Sequence, residues 1–203
     1  MQPMNHRERI RATLRGEDVD RPAASIWHHM ISGTDTTEQF AQTIVNYYNK
    51  YDWDFLKVQN LGTYGPTGLS VKTWIDSDEK FFRSADELVA MKVPDVSAGD
   101  FEKMETAANL IGEGLYGRAP FIWTITSPGV TIARLMPDIP TFLHYLRTYP
   151  DAMSHALKVV TETTITFAEK MVKAGASGFF FGTNSLGTKD VFTCEELMPT
   201  ASK

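Results

Sequence analysis

Apolar residues recur along this chain in two rhythms, and the alternation between them predicts strands and helices in turn. Asn5, with Glu8 three residues later, carries a capping-box signature, and Gly16 lies where the helix it opens would stop. Arg21-Pro22 leads into a short extended segment, Ala23-Ala24-Ser25-Ile26-Trp27-His28, read as a first strand. Phe40, Ile44, Tyr47, Tyr48 and Tyr51 fall at helical spacing. Asp54-Phe55-Leu56-Lys57-Val58-Gln59 alternates and carries Phe and Val, which predicts a second strand.

Gly62, Gly65, Pro66 and Gly68 then mark a loop, and residues 70–83, with Asp76-Ser77-Asp78 at their middle, predict a β-hairpin. Ser84-Ala85-Asp86-Glu87 opens a short helix that must end near Pro94, and Phe101, Met104, Ala108 and Ile111 share one face of another. Residues 119–126 read as a buried strand running into the Ser127-Pro128-Gly129 turn, with two short helices beside Pro137 and Pro140. Pro150-Asp151 begins the clearest helix, striped by Met153, Leu157, Val160, Thr164, Phe167 and Met171 and stopped by Gly175. Gly178–Gly182 is a strand, residues 183–188 a loop, and Thr193 with Glu196 starts a last helix. Strands near 23–28, 54–59, 119–126 and 178–182, alternating with helices, predict βα units and a parallel sheet in one domain spanning 1–203. An open doubly wound sheet and an eightfold βα barrel both satisfy that spacing.

Composition narrows the function classes. The 203 residues are 42 % hydrophobic and 22 % charged, ordinary globular values. A formal charge of −5 and the lack of a Lys/Arg cluster along the sequence argue against nucleic acid as a partner. The single cysteine, Cys194, excludes an internal disulfide framework and a Cys-rich zinc site. No apolar run approaches the roughly 18–20 residues needed to cross a bilayer, and residues 1–8 lack the apolar core of a signal peptide. The expectation is a soluble, cytoplasmic protein without a membrane partner.

Several motifs invite chemistry. Gly112-Glu113-Gly114-Leu115-Tyr116-Gly117 matches GxGxxG, but helix, glycines, strand is the reverse of the order a phosphate loop needs, so it reads as a flexible connection. His28-His29 would sit at the end of the first strand, where adjacent side chains diverge and cannot easily chelate one metal. Lys57 and Gln59 share one face of a strand whose covered faces should be apolar, so they are either site residues or side chains snorkelling to a rim. Thr124, Thr126, Ser127, Thr183, Asn184 and Ser185 sketch a polar, uncharged rim at the strand C-termini, though each also suits a turn or cap. Cys194 lies at a helix start with no nearby activating base and reads as inert.

The run from Arg7-Glu8-Arg9 through Leu14-Arg15-Gly16 to Asp20-Arg21-Pro22, then Tyr51-Asp52-Trp53-Asp54, Ala119-Pro120-Phe121 through Ser127-Pro128, and Ala174-Gly175-Ala176 before Phe179-Phe180-Phe181, resembles the uroporphyrinogen decarboxylase superfamily. The resemblance implies a (β/α)8 barrel of the TIM type with its site at the strand C-termini, of which this chain holds about the first four βα units, a half barrel. Members include cofactor-free uroporphyrinogen decarboxylases and zinc-binding methyltransferases that serve corrinoid proteins. Two features depart from the true decarboxylases. Their arginine-rich run after strand one is here Trp27-His28-His29-Met30-Ile31-Ser32, and their pyrrole-binding aspartate after strand two is here replaced by Asn60-Leu61-Gly62. An octa-anionic porphyrinogen needs matching cations in a desolvated pocket, so the methyltransferase branch is the nearer model.

The resemblance implies that Lys57, Trp27, Gln59, Tyr64, Thr126, Asn184 and Ser185 line a tetrapyrrole- or corrinoid-sized cleft, with Lys57 meeting anionic groups and His28 shuttling a proton. Trp27 and Trp123 could stack on a flat ligand or pack in the core. No cofactor is expected within this chain, since the zinc ligands of the methyltransferases belong to the second half of the barrel. Zinc and a corrinoid are expectations for a full-length relative. A half barrel leaves unpaired edges, which suggests a truncation or a homodimer that joins them. The rival account is a non-catalytic remnant or binding module.

Overall fold

Three strands, in the order β1-β2-β3, form the sheet of the computed structural model, which describes residues 2–28, 30, 36–59 and 69–183. β1 (Leu56–Val58) runs parallel to β2 (Phe121–Thr126), with Leu56 opposite Phe121 and Val58 opposite Trp123. β3 (Gly178–Gly182) follows β2 in the same sense, because Ser177 N–H donates to Phe121 O and Ser127 N–H to Gly182 O, partners that advance together. Seven helices accompany these strands among the described residues: α1 (His6–Arg15), α2 (Thr37–Tyr51), α3 (Ala85–Val89), α4 (Gly99–Leu115), α5 (Pro128–Arg134), α6 (Ile139–Thr148) and α7 (Pro150–Lys173). The chain is an α/β protein with a parallel sheet.

Local chemistry accounts for the helix ends. Asn5 accepts from Glu8 N–H while the Glu8 carboxylate accepts from Asn5 N–H, and Gly16 closes α1 at φ 69°, where a side chain would be strained. Thr36 and Gln39 form the same box on α2, and Ser127 caps α5 ahead of Pro128. At α3 the box is only half made: Ser84 Oγ accepts from Glu87 N–H at 3.3 Å, but the Glu87 carboxylate takes Arg83 N–H instead.

Two predicted elements differ. Residues 23–28 form no strand; among the described residues their one ladder-like bond is Asp54 N–H to Ala24 O. Ala23, Ala24 and Ser25 present little area for cross-strand packing, and the next backbone contact, Ile26 O, is taken by the Tyr47 hydroxyl at 3.1 Å. The hairpin over 70–83 is absent as well. Val71–Thr73 is a 3-10 turn, and Val71, Trp74 and Phe82 are buried among helices, a helical rather than an alternating use of their spacing. The loop glycines at 62–68 and the helix beginning at Thr193 lie outside the described residues.

The chain gathers into two compact units, 1–67 with 96–124 and 167–180, and 68–95 with 125–166 and 181–203. In the second, Leu88, Ile132, Leu135, Met136, Met153 and Ala156 form a dry core, tied by Phe82 N–H to Leu135 O and by the Tyr145 hydroxyl to Arg83 O. In the first, Phe40, Ile44 and Tyr48 of α2 and Phe101, Met104, Ala108 and Ile111 of α4 are buried along with Leu56, Val58, Phe121 and Trp123 of the sheet. Trp123 is therefore core and offers no face to a ligand.

The GxGxxG run is neither a phosphate loop nor a flexible connection: Gly112 and Gly114 lie inside α4. A Cβ on Gly114 would stand 2.6 Å from Val45 Cγ2 and 3.2 Å from Cγ1 on α2, so both Val45 methyls block it and a rotamer change brings no relief. At Gly112 the nearest atom would be 3.6 Å away. Gly112→Ala is therefore expected to be neutral or to stabilise by up to about 1 kcal/mol through helix propensity. Gly114→Ala is expected to lower stability despite the same propensity gain, because overpacking costs about 1–3 kcal/mol. Urea denaturation of the two variants checks the contrast.

Candidate ligand-binding site

The site begins with a buried carboxylate. Asp54, just before β1, is 1 % exposed. Its Oδ1 accepts from Arg9 Nη1 at 2.5 Å and from Arg21 Nη2 at 3.0 Å, its Oδ2 accepts from Arg21 Nη1 at 2.5 Å and from Ala24 N–H at 2.8 Å, and His6 Nδ1 lies 2.8 Å from Oδ1. Arg9, 3 % exposed, also grips Asp20 with two nitrogens at 2.7 and 2.8 Å. Burial by itself would push the Asp54 carboxyl up, but the bonds from Arg21, His6, Ala24 and Arg9 together outweigh it and hold the carboxyl well below the usual range. Arg9, hydrogen-bonded to it, does the same to Asp20. The Arg9 guanidinium is in turn held more firmly protonated by Asp20, against the effect of burial.

This network aligns residues 21–28 with β1. Three residues beyond Ala24 is Trp27, and three beyond Asp54 is Lys57. Lys57 Nζ lies 3.7 Å from the centroid of the Trp27 ring and 3.9 Å from that of Phe180 on β3, and the two rings meet edge-to-face at 4.8 Å. Lys57 is half-buried, and desolvation draws its pKa below that of an ordinary lysine. Among the described residues no carboxylate is within ion-pair reach of it. Trp27 keeps 53 % of its surface exposed, so the cage is open on one side.

The other expected site residues fall unevenly. His28 is exposed and stacks on Tyr47 at 6.3 Å, part of an aromatic group with Tyr51 and Trp53. Gln59 follows β1, half-buried. Thr124 Oγ1 donates to Val58 O at 2.9 Å, a stitch between β1 and β2. Thr126 Oγ1 lies 2.9 Å from Thr131 Oγ1, in the turn that Ser127 caps. His29, Tyr64, Asn184, Ser185 and Cys194 lie outside the described residues. Phe180 was not singled out from sequence; the signal was there in Gly178-Phe179-Phe180-Phe181-Gly182, whose alternation sets Phe180 apart from its two neighbours.

A sequence profile of uroporphyrinogen decarboxylase (URO-D) matches residues 5–188. The chain belongs to this family. Arg9, Asp20, Arg21 and Asp54, all within the matched residues, are the partners of one ion-pair network. A methyltransferase from Methanosarcina mazei superposes on this chain with a TM-score of 0.74 at 19 % identity, covering 97 % of this chain and 64 % of the methyltransferase chain. This chain therefore spans less than two thirds of the length of that neighbour, and at such identity the likeness establishes the fold alone. No curated protein sequence matches the chain. Among the described residues no group of three from His, Cys, Asp and Glu could hold a metal ion, so zinc finds no donor set there. No described helix is long and apolar enough to cross a membrane.

The network makes stability depend on acid. Both carboxyls have native pKa values depressed below the unfolded ones, so their stabilisation is complete above the ordinary carboxylate range and drains as the pH falls from about 4 toward the lower native values. Melting temperatures measured from neutral pH downward should hold level and then fall below about pH 4. Asp54→Asn should cost about 1.5–3 kcal/mol at neutral pH, because it removes the charge on which Arg9, Arg21 and Ala24 N–H converge and leaves Arg9 with Asp20 alone, and it should also flatten the acid limb.

Proposed function

We propose that the chain is part of a (β/α)8-barrel enzyme of the methyltransferase-like branch, and that Lys57, Trp27 and Phe180 take hold of an anionic ligand with a flat or apolar body. The observation that carries this reading is the state of Lys57. A half-dehydrated ammonium held between two aromatic faces, with no carboxylate in reach among the described residues, has an electrostatic vacancy that an incoming carboxylate fills. The exposed edge of Trp27 gives the body of the ligand a surface to cover.

The sequence supports the methyltransferase-like branch over strict decarboxylation. Residues 28–32 contain no arginine and Asn60 stands where the decarboxylases carry their aspartate, so the devices for eight carboxylates and four pyrrole N–H groups are missing. The fold neighbour, itself a methyltransferase, is in keeping with that branch. His28, exposed beside Tyr47, is the proton carrier in this reading, with Gln59, Thr126, Tyr64, Asn184 and Ser185 as polar contacts. A corrinoid protein or a free tetrapyrrole is the partner, and the residues for zinc are not among those described.

Titration of intrinsic fluorescence with uroporphyrinogen and with cobalamin tests this. The tetrapyrrole that binds should perturb the Trp27 emission, and Lys57→Met, which keeps the length of the side chain, should weaken a carboxylate-bearing ligand by about tenfold or more, the usual value of a charge-assisted hydrogen bond. Equal affinity in Lys57→Met, or no response to either compound, overturns the reading.

A further inference from the structure

Five arginines, Arg7, Arg9, Arg11, Arg21 and Arg118, line one open groove of the first unit, of about 800 Å³. Asp52 before β1 and the 116–118 turn before β2 border it, so it lies at the N-terminal ends of these strands, opposite the end where Gln59 emerges. Such a density of cations is out of keeping with a chain of net charge −5. Two of the five are neutralised, Arg9 by Asp20 and Asp54 and Arg21 by Asp54. Two carboxylates also line the groove and keep their charge there, Glu8, which accepts from Asn5 N–H at 3.0 Å, and Asp52, which lies 2.9 Å from His6 Nε2. Among the described residues no carboxylate is within ion-pair reach of Arg7, Arg11 or Arg118.

Two of these three side chains are nevertheless held in place. Arg7 Nε donates to Gly117 O, which leaves the forked end of its guanidinium free and draws α1 against the 116–118 turn. The Arg118 guanidinium lies 4.9 Å over the Tyr48 ring, and it donates from Nη2 to Asn49 Oδ1 at 3.0 Å and Gly114 O at 3.3 Å and from Nε to Leu115 O at 3.2 Å. Arg11 follows Arg7 by one turn along the same face of α1. Neutral acceptors fix Arg7 and Arg118 without cancelling their charge, so little side-chain freedom remains to be lost when an anion arrives. At the rim Tyr116 holds a left-handed backbone, φ 49°, with 84 % of its surface in water.

We infer that this groove binds a di- or triphosphate, inorganic or carried on a nucleoside. Arg7 and Arg11 grip the phosphate oxygens with their guanidinium forks, Arg118 adds its charge and its remaining nitrogen, and Tyr116 offers its ring to a base. The volume is that of a small-molecule site, in the range of roughly 300–1,000 Å³. The inference stands apart from the role given to Lys57, since none of its residues belongs to that cluster.

Isothermal titration of the full chain with pyrophosphate and with ADP, at low and at physiological ionic strength, tests it. Both should bind, more weakly as salt rises, while sulfate binds at least about tenfold less well because it presents fewer charges. Arg11→Gln should weaken both ligands about tenfold without moving the melting temperature of the unliganded protein, because Arg11 meets no described partner. Tyr116→Ala distinguishes the sources: loss of ADP affinity with pyrophosphate unchanged assigns a nucleoside, and equal affinities for the two ligands in both proteins assign an inorganic phosphate. No binding of pyrophosphate at low salt, unchanged affinity in Arg11→Gln, sulfate binding as tightly as pyrophosphate, or tighter binding of polyglutamate than of pyrophosphate would each overturn the inference.

Discussion

A carboxylate removed from water keeps its charge only where several donors converge on it, and Asp54 has two guanidiniums, an imidazole nitrogen and a backbone N–H. Those donors come from α1, from residues 21–24 and from nowhere nearer in sequence, so the carboxylate fixes three separate stretches at one point. The consequence reaches the site by simple geometry. Two extended segments pinned together at Ala24 and Asp54 advance at about 3.3 Å per residue, and three residues on they set Trp27 beside Lys57. The ion pair is thus remote from the ligand and still decides which aromatic ring the lysine meets.

Lys57 itself shows two opposing effects. Desolvation favours the neutral amine, while the quadrupoles of Trp27 and Phe180 favour the ammonium by about 0.5–2 kcal/mol. A charge balanced in this way is tolerable in the free protein and gains when an anion completes its surroundings. The same logic holds at the other strand ends, where Arg7 and Arg118 are steadied by backbone carbonyls, an amide and an aromatic ring rather than by acids. Family membership places the chain among related α/β proteins, but the chemistry resides in such particular side chains.

Where sequence reading succeeded, the forces were local. Asn5 with Glu8, Thr36 with Gln39, and Gly16 act within a turn of their own helix, and the stripes of α4 and α7 follow from a 3.6-residue period. It failed where distant partners chose the outcome. Residues 23–28 lack the ladder of a strand because Asp54 takes Ala24 N–H and Tyr47 takes Ile26 O; Val71, Trp74 and Phe82 joined a helical core instead of a hairpin; and Gly114 proved to be a contact with Val45 rather than part of a flexible connection. Of the candidate site, Lys57 and Trp27 were legible as a long polar side chain on one strand and an aromatic near the end of another expected one. Their contact was not, because it depends on pairing between segments some thirty residues apart.

The amino-acid order alone determined the helix caps and stripes, the alternation that makes the sheet parallel, and the family, since each rests on spacing along the chain. Only the tertiary structure decided that Asp54 gathers Arg9, Arg21 and His6, that Phe180 closes the cage on Lys57, and that Arg7, Arg11 and Arg118 share one groove. The physical reason is the same in each case. Charge and ring interactions act through space over a few ångströms, and which groups come within that distance is set by how the hydrophobic faces pack.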